Sequence, residues 1–331
     1  MILSHEVRYL LEAAGVFTLS DLGWIRVTGE DRTRWLNGMV TNSIQDLKPG
    51  DGNYSFVLNA QGRIQGDLYT FAETEALLLE TSRAQVPALM ALLDKFIIMD
   101  DVELADVSLG RFGIGLAGPK APQILAMAAL PVPTPLSGQA QRVKALWDGV
   151  EVEVIGTYSP VIPRFEIWGD ELTMTRLKLI LASAAAEQSG GPVTPEAVES
   201  LRLLEATPKF GTDIRDRDLP QETAQTRALH FAKGCYLGQE IVERIRSRGA
   251  VHRTFASFRL EGTLPAPGTP LEVEGKAVGE LTSVGTAPLS GEPAQLALGF
   301  VRREFIERNA EILYAGGRAY PLAPSAASKA S

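Results

Sequence analysis

The chain has 331 residues, a formal net charge of −8 and 45% hydrophobic residues, the profile of a folded globular protein with room for two or three domains. A single cysteine excludes an intramolecular disulfide and a cysteine-rich metal site, and three histidines far apart in sequence give no local zinc motif, so no metal is expected. The acidic balance gives no general attraction to nucleic acid or anionic membranes, and no apolar run reaches the ~20 residues of a membrane helix. Residues 1–15 read as an amphipathic helix ending at Gly15, with His5, Glu6, Arg8 and Glu12 among its apolar residues. That is not a signal-peptide pattern, so a cytoplasmic location with no membrane partner is expected.

Ser20 to Val27 reads as a strand, and Gly29-Glu30-Asp31 opens a helix carrying Trp35, Leu36 and Met39. The unit recurs: Ile25, Val27, Gly29, Trp35 and Leu36 have counterparts in Ile114, Leu116, Gly118, Ile124 and Leu125, each 89 positions further on. A second pair follows in the same order. Leu77 to Leu79 leads into a helix with Val86, Leu89 and Leu93, and Phe165 to Trp168 leads into one with Met174, Leu177 and Leu181. Two such pairs suggest an internal duplication of an α+β unit, near 25–100 and 114–185. Asn53 to Leu58 and Ile64 to Phe71 read as strands joined at Asn59-Ala60-Gln61-Gly62. Residues 131–140 and 187–195 read as loops, and Thr194 caps a helix with Pro195 at its first position. Beyond residue 250, short strand-like runs (Phe255–Leu260, Leu271–Val273, Ala277–Ser283, Leu296–Val301) alternate with Gly and Pro, which predicts a small barrel or sandwich over 250–322. The Ala/Ser-rich stretch 323–331 is expected to be a disordered tail.

The lone cysteine lies in Lys233-Gly234-Cys235-Tyr236-Leu237-Gly238-Gln239-Glu240. Gln239 to Arg248 reads as a short helix with Gly249 as its C-cap, so the thiol sits just before a helix N-terminus and two residues after a lysine. Both features favour thiolate, although a small buried packing residue is an equally good reading of the local pattern. The motif resembles the signature of the folate-binding YgfZ family, relatives of the glycine-cleavage T-protein, an aminomethyltransferase. Its flanks agree: Arg202 to Pro208 with Phe210-Gly211-Thr212-Asp213 is similar to "RLEAxxPxFGxD", and Leu219-Pro220-Gln221-Glu222 to "LPxE". Gly279 to Ser283 is similar to a "G-x-(V/L)-T-S" strand of the T-protein barrel.

The resemblance covers nearly the whole chain. It implies an α+β fold of T-protein type, with two duplicated lobes over residues 1–248 and a C-terminal β-barrel around a central channel. It also implies tetrahydrofolate or a derivative as cofactor. Glu205 falls by helical periodicity near Val198 and Leu201 on the apolar stripe, in the last turn, where the helix dipole disfavours a negative charge. Either Arg202 neutralises it, or it accepts two hydrogen bonds from a planar ligand such as a pterin, the role the family implies. Tyr54 and Asp67 match folate-site residues of the T-protein pattern, with Asp67 near the N5/N10 nitrogens, although position 66 is glycine where T-proteins carry a second acid. Without the family, Asp67 is a strand-end or edge residue and Tyr54 sheet filling. Arg244, Arg246, Arg248 and Arg253, with Lys233 and His252, form a basic run. It is a solvated face, a site for phosphates or a glutamyl tail, or, with less support from an acidic chain, a contact for RNA.

Two functions follow from the resemblance. One is a folate-binding accessory protein for iron–sulfur cluster assembly or repair and iron–sulfur-dependent tRNA modification, with iron–sulfur enzymes or assembly factors as partners. Cys235 would act there through transient thiol chemistry, since one thiolate cannot hold a cluster that takes four ligands. The other is a tetrahydrofolate-dependent aminomethyl or methyl transferase using Asp67; the Cys235 motif, which T-proteins lack, argues against it. A scaffold that has lost its ligand is a weaker third reading.

Overall fold

The computed structural model describes residues 4–135, 139–249, 251–289 and 291–323, so the predicted tail, Ala323 apart, lies outside the described residues. Helix α1 (His5–Glu12) precedes two strands, β1 (Gly15–Leu19) and β2 (Leu22–Thr28), where the sequence suggested one strand from Ser20. The first strand escapes a local reading because its partner is distant: β1 pairs with residues 113–117. The first half continues with α2 (Arg32–Asn37), β3 (Asp51–Leu58), β4 (Ile64–Ala72), β5 (Leu77–Ser82), α3 (Val86–Asp94) and β6 (Glu103–Asp106). The second half has β7 (Phe112–Ala117), α4 (Ala121–Met127), β8 (Ala140–Trp147), β9 (Val150–Thr157), β10 (Arg164–Gly169), α5 (Glu171–Glu187), β11 (Gly191–Pro192) and α6 (Pro195–Glu205).

These strands form one sheet in the order β11-β1-β7-β10-β9-β8-β3-β4-β5-β2-β6. From one edge it runs β6-β2-β5-β4-β3, and from the other, inside β11, β1-β7-β10-β9-β8. The two strand–glycine–helix units singled out in the sequence therefore sit at mirrored places, the arrangement that duplication of one α+β unit would leave. Gly29 and Gly118, at φ of +99° and +140°, close β2 and β7 at matching points. Among the described residues two pairs, Asp51↔Gln141 and Gly52↔Ala140, join the halves between β3 and β8.

Period-two alternation assigns the faces. Ile25, Val27, Leu77 and Leu79 point outward and bury Trp35, Leu36, Leu89 and Leu93 of α2 and α3. Ile114, Leu116, Val154 and Ile167 do the same for α4 and α5. Trp24, Phe71, Leu78, Phe17, Ile155 and Trp168 point inward into a shared core. Trp24 on β2 meets Trp168 on β10 edge-to-face at 5.2 Å although five strands lie between them in the sheet order, so the two half-sheets face each other.

Two acids lie in that inner layer. Glu80 on β5 and Glu166 on β10, each 5% exposed, hydrogen-bond across the seam, and the Trp168 indole N–H donates to Glu166 at 2.9 Å. Burial, and then the charge of Glu166, push Glu80 well above the usual carboxyl range, so the folded protein holds a proton that the unfolded chain releases. Stability from this source is complete below the ordinary carboxyl pKa and is lost as pH rises toward the folded value. Glu80→Gln keeps a donor to Glu166 without titrating. Its denaturant midpoint, compared with wild type between pH 5 and pH 8, should therefore gain as pH rises; a constant difference would show that the pair does not share a proton.

Helix α7 (Gln239–Arg248) precedes a closed barrel of β12 (Arg253–Gly262), β13 (Pro270–Val273), β14 (Lys276–Leu289), β15 (Glu292–Arg302), β16 (Ile312–Tyr314) and β17 (Gly317–Pro321), in the order β12-β15-β14-β13-β16-β17. A short helix, α8 (Arg303–Glu307), leaves β15. The conspicuous motifs hold the barrel to the lobes. Buried Asp213 accepts from Arg202 at 2.6 Å, from Ser283 at 2.7 Å and from Thr282. Arg202 also donates to Ser283 at 2.7 Å. Arg253 pairs with Asp218 at 2.6 Å and Glu222 at 2.9 Å. Arg253 is thus a junction residue and not part of an exposed basic run. Thr194 occupies the N-cap position of α6, but its hydroxyl and backbone N–H both donate to Glu6, so the expected side-chain cap is not made. Among the described residues no helix is long and apolar enough to cross a membrane.

Candidate functional site

The β3–β4 hairpin pairs Tyr54 with Tyr69 and Phe56 with Asp67. Asp67 therefore lies in the middle of an internal strand, not at an edge. The Tyr54 hydroxyl donates to Asp67 at 2.6 Å, and Gln85 donates to its other carboxylate oxygen at 2.8 Å while accepting from the Asp67 N–H. Burial pushes Asp67 above the usual carboxyl range and these hydrogen bonds oppose it. Tyr54 is raised well above a free phenol, first by burial and then by the Asp67 charge, which keeps it a donor. The Arg227 guanidinium lies over the Tyr54 ring at 4.1 Å and the Tyr158 ring at 4.3 Å, and donates to the Tyr69 hydroxyl at 2.8 Å. Asn42 fixes this corner by donating to the backbone oxygens of Tyr54 and Arg227.

Glu205 is the last residue of α6, which ends as Ala206 turns left-handed at φ 52°. The carboxylate is 5% exposed, and Arg202 does not neutralise it: Arg202 bonds Glu199 and Asp213 instead. The Ser159 hydroxyl donates to Glu205, and burial raises the carboxyl above its usual range against the opposing pull of Arg164 and Ser159. Glu205 lines a cavity of about 960 Å³ together with Asn42, Tyr158, Arg227 and His230, closed on the barrel side by Phe255 and Leu296. The volume falls within the range of ~300–1,000 Å³ usual for small-ligand sites. Tyr54 and Asp67 are not on the cavity lining; Arg227, which is, connects them to it. Tyr158, Ser159 and Arg227 had no local sequence signal, since each is placed by a loop or 3₁₀ turn.

Cys235 lies elsewhere, exposed on a loop seated against the same hairpin. Its neighbour Tyr236 is buried with Tyr54, Phe56 and Ile64, and the Leu237 N–H donates to Gly38. Lys233 does not serve the thiol. Its ammonium points inward to the carbonyl oxygens of Asn37 at 2.7 Å, Val40 at 2.8 Å and Asn42 at 2.5 Å. Burial pulls Lys233 down to about 7, while three carbonyl dipoles favour keeping its proton. Helix α7 runs from Gln239, whose side chain accepts from the Tyr236 N–H, and Glu240 is exposed in its first turn. Arg244 and Arg246 are exposed, and Arg246 stacks on Phe231 at 4.5 Å. Gly234 is open to solvent, whereas Gly238 is at φ +81° with a Cβ position 2.5 Å from the Asn59 carbonyl oxygen. Gly238→Ala should cost at least ~1–2 kcal/mol, the left-handed penalty before any clash, measured as a lower denaturant midpoint; an unchanged midpoint would mean the loop does not need this turn.

Two facing α+β half-sheets, a cavity of mixed apolar and polar lining beside a closed C-terminal barrel, and a separate exposed thiol define a two-lobed architecture with a barrel-capped cavity. Residues 1–233 match the GCVT N-terminal domain family and residues 253–329 the CAF17 C-terminal β-barrel domain. The chain belongs to the GCVT N-terminal domain family. The structure is similar to the glycine cleavage system aminomethyltransferase T of Bartonella henselae, with a TM-score of 0.83 over 98% of this chain and 89% of that one, at 22% identity. That likeness establishes the T-protein fold. An aminomethyltransferase of Clostridium botulinum is 26% identical, covering 89% of this chain and 80% of that protein. One from Geobacillus kaustophilus is also 26% identical, covering 92% and 84%. A chloroplastic protein of Arabidopsis thaliana, named as a transferase, is 26% identical over 87% of this chain, which spans 65% of that longer relative.

Proposed function

We propose that this protein binds a reduced folate, tetrahydrofolate or a derivative, in the cavity and supports iron–sulfur cluster assembly or repair, including for enzymes that modify tRNA. The observation that carries the folate reading is Glu205, a buried carboxylate on the cavity wall whose described partner is one serine hydroxyl. A carboxylate held this way suits the paired 2-amino and N3 donors of a pterin. Tyr54, Asp67 and Arg227 are polar and aromatic groups grouped at the neighbouring corner. The accessory role rests on the Lys233–Glu240 motif, on an exposed Cys235 held apart from the cavity, and on the CAF17-type barrel match. Partners are iron–sulfur enzymes or assembly factors. RNA contact has little support, since Arg253 is spent on Asp218 and Glu222.

A second reading, a tetrahydrofolate-dependent aminomethyl or methyl transferase, is favoured by Asp67, a proton-holding carboxylate between Tyr54 and Gln85 that is linked to the cavity through Arg227 rather than lining it. The names of the aminomethyltransferase relatives point the same way. Calorimetric titration with tetrahydrofolate tests the shared claim, and no saturable heat would sink both readings. Turnover with tetrahydrofolate and an aminomethylated carrier protein would decide for the transferase.

A further inference from the structure

One short loop, residues 158–163 between β9 and β10, reaches two parts of the cavity at once. Tyr158 stacks on Arg227 and Ser159 bonds Glu205. The loop is stiff for reasons of sequence. Pro160 and Pro163 lock their own φ angles and hold Ser159 and Ile162 away from helical geometry. Ile162, 7% exposed, is pinned in the core between the half-sheets, and the Pro163 carbonyl accepts from the Gly118 N–H at 2.9 Å.

The hydrogen bonding of Ser159 is polarised. The Ile162 N–H donates to its hydroxyl oxygen at 3.3 Å, which leaves the O–H to point at Glu205 Oε1. A carboxylate oxygen has two lone pairs, so Oε1 retains one for a ligand and Oε2 keeps both. We propose that Ser159 is a positioning residue for Glu205, fixing the carboxylate so that both oxygens present acceptors to one flat donor pair in the cavity. This rests on the folate reading and extends it: affinity would depend on a residue placed beside the acceptor rather than on the acceptor alone. The same loop carries Tyr158, so the face that recognises the ring and the aromatic stack beside it are set by one rigid segment.

The charged and titratable groups around Glu205 are Arg164 from β10, Tyr158 from the loop, Arg227 and His230 from the segment before the thiol motif, and Arg303 and Glu307 from α8 across the cavity. Because several other charged groups face the same cavity, the measurement needs Glu205→Gln as its reference. The probe is (6S)-5-formyltetrahydrofolate, titrated from pH 5 to pH 8 into wild type, Ser159→Ala, Ser159→Thr and Glu205→Gln. Ser159→Ala should bind about tenfold more weakly, the order expected for losing one hydrogen bond to a charged group. Its affinity should also start to fall at a higher pH than that of wild type. Ser159→Thr, which keeps the hydroxyl, should restore both. In the ligand-free protein, the Glu205 carboxylate band, isolated by infrared difference against Glu205→Gln, should titrate at a higher pH in Ser159→Ala. An unmoved infrared midpoint overturns the proposal, as does equal loss of affinity in the Ala and Thr variants. Failure of wild type to bind the folate would instead remove the functional reading, while the infrared comparison still decides the role of Ser159.

Discussion

Cys235→Ala should abolish support of iron–sulfur enzymes in cells while leaving folate affinity and melting temperature unchanged. The thiol is exposed and Gly234 beside it meets nothing within 4 Å, so truncation removes no packed contacts. Surface substitutions of this kind usually stay within ~0.5 kcal/mol. The loop's anchors are its neighbours: Lys233 on three carbonyl oxygens, Tyr236 in the core and Gly238 against the hairpin turn. None of them is altered by the change. The cavity is lined by Leu229 and His230 upstream but not by Cys235, which is why ligand binding and thiol chemistry should separate in one variant. The measurements are the activity of an iron–sulfur enzyme in cells carrying only the variant, and calorimetry and thermal melting of the purified protein. Full support by Cys235→Ala would show that the thiol has no such function. A large fall in melting temperature would show that it packs.

Glu205→Gln should weaken binding of tetrahydrofolate by about ten- to a hundredfold, because an amide oxygen accepts only one of two parallel donors and a lost hydrogen bond to a charged group costs roughly 1.5–3 kcal/mol. The helix should tolerate the change, since the two side chains are nearly isosteric and the negative charge at this helix end opposes the dipole. The pH dependence has a defined sign. Burial raises the Glu205 carboxyl, the ligand requires the carboxylate, and so wild-type affinity should fall as pH drops through that raised value. Glu205→Gln should lack that acid limb. Equal affinities, or the same limb in both proteins, would remove Glu205 from the site.

The chain itself determined the outline of this protein through local rules. Alternation at Ile25/Val27 and Leu77/Leu79 placed strand faces, and the 89-residue recurrence marked two units that take mirrored places in the sheet. Gly238 and Gly249 bracketed α7 at its observed ends. Helical periodicity put Glu205 inward, which depends only on 3.6 residues per turn. Local rules were silent on partners. Whether Glu205 meets Arg202 or a cavity was undecided until Asp213, brought in by a following turn, claimed Arg202 with Thr282 and Ser283 from the barrel. Lys233, two residues from the thiol in sequence, turns to carbonyl oxygens near residue 40 because a buried ammonium requires acceptors that an exposed loop does not supply. Strand β1 was missed because its partners lie about a hundred residues away. Tyr158, Ser159 and Arg227 join Glu205 only after the half-sheets face each other. Their positions come from long-range closure of two lobes and a barrel, which no spacing along the chain encodes.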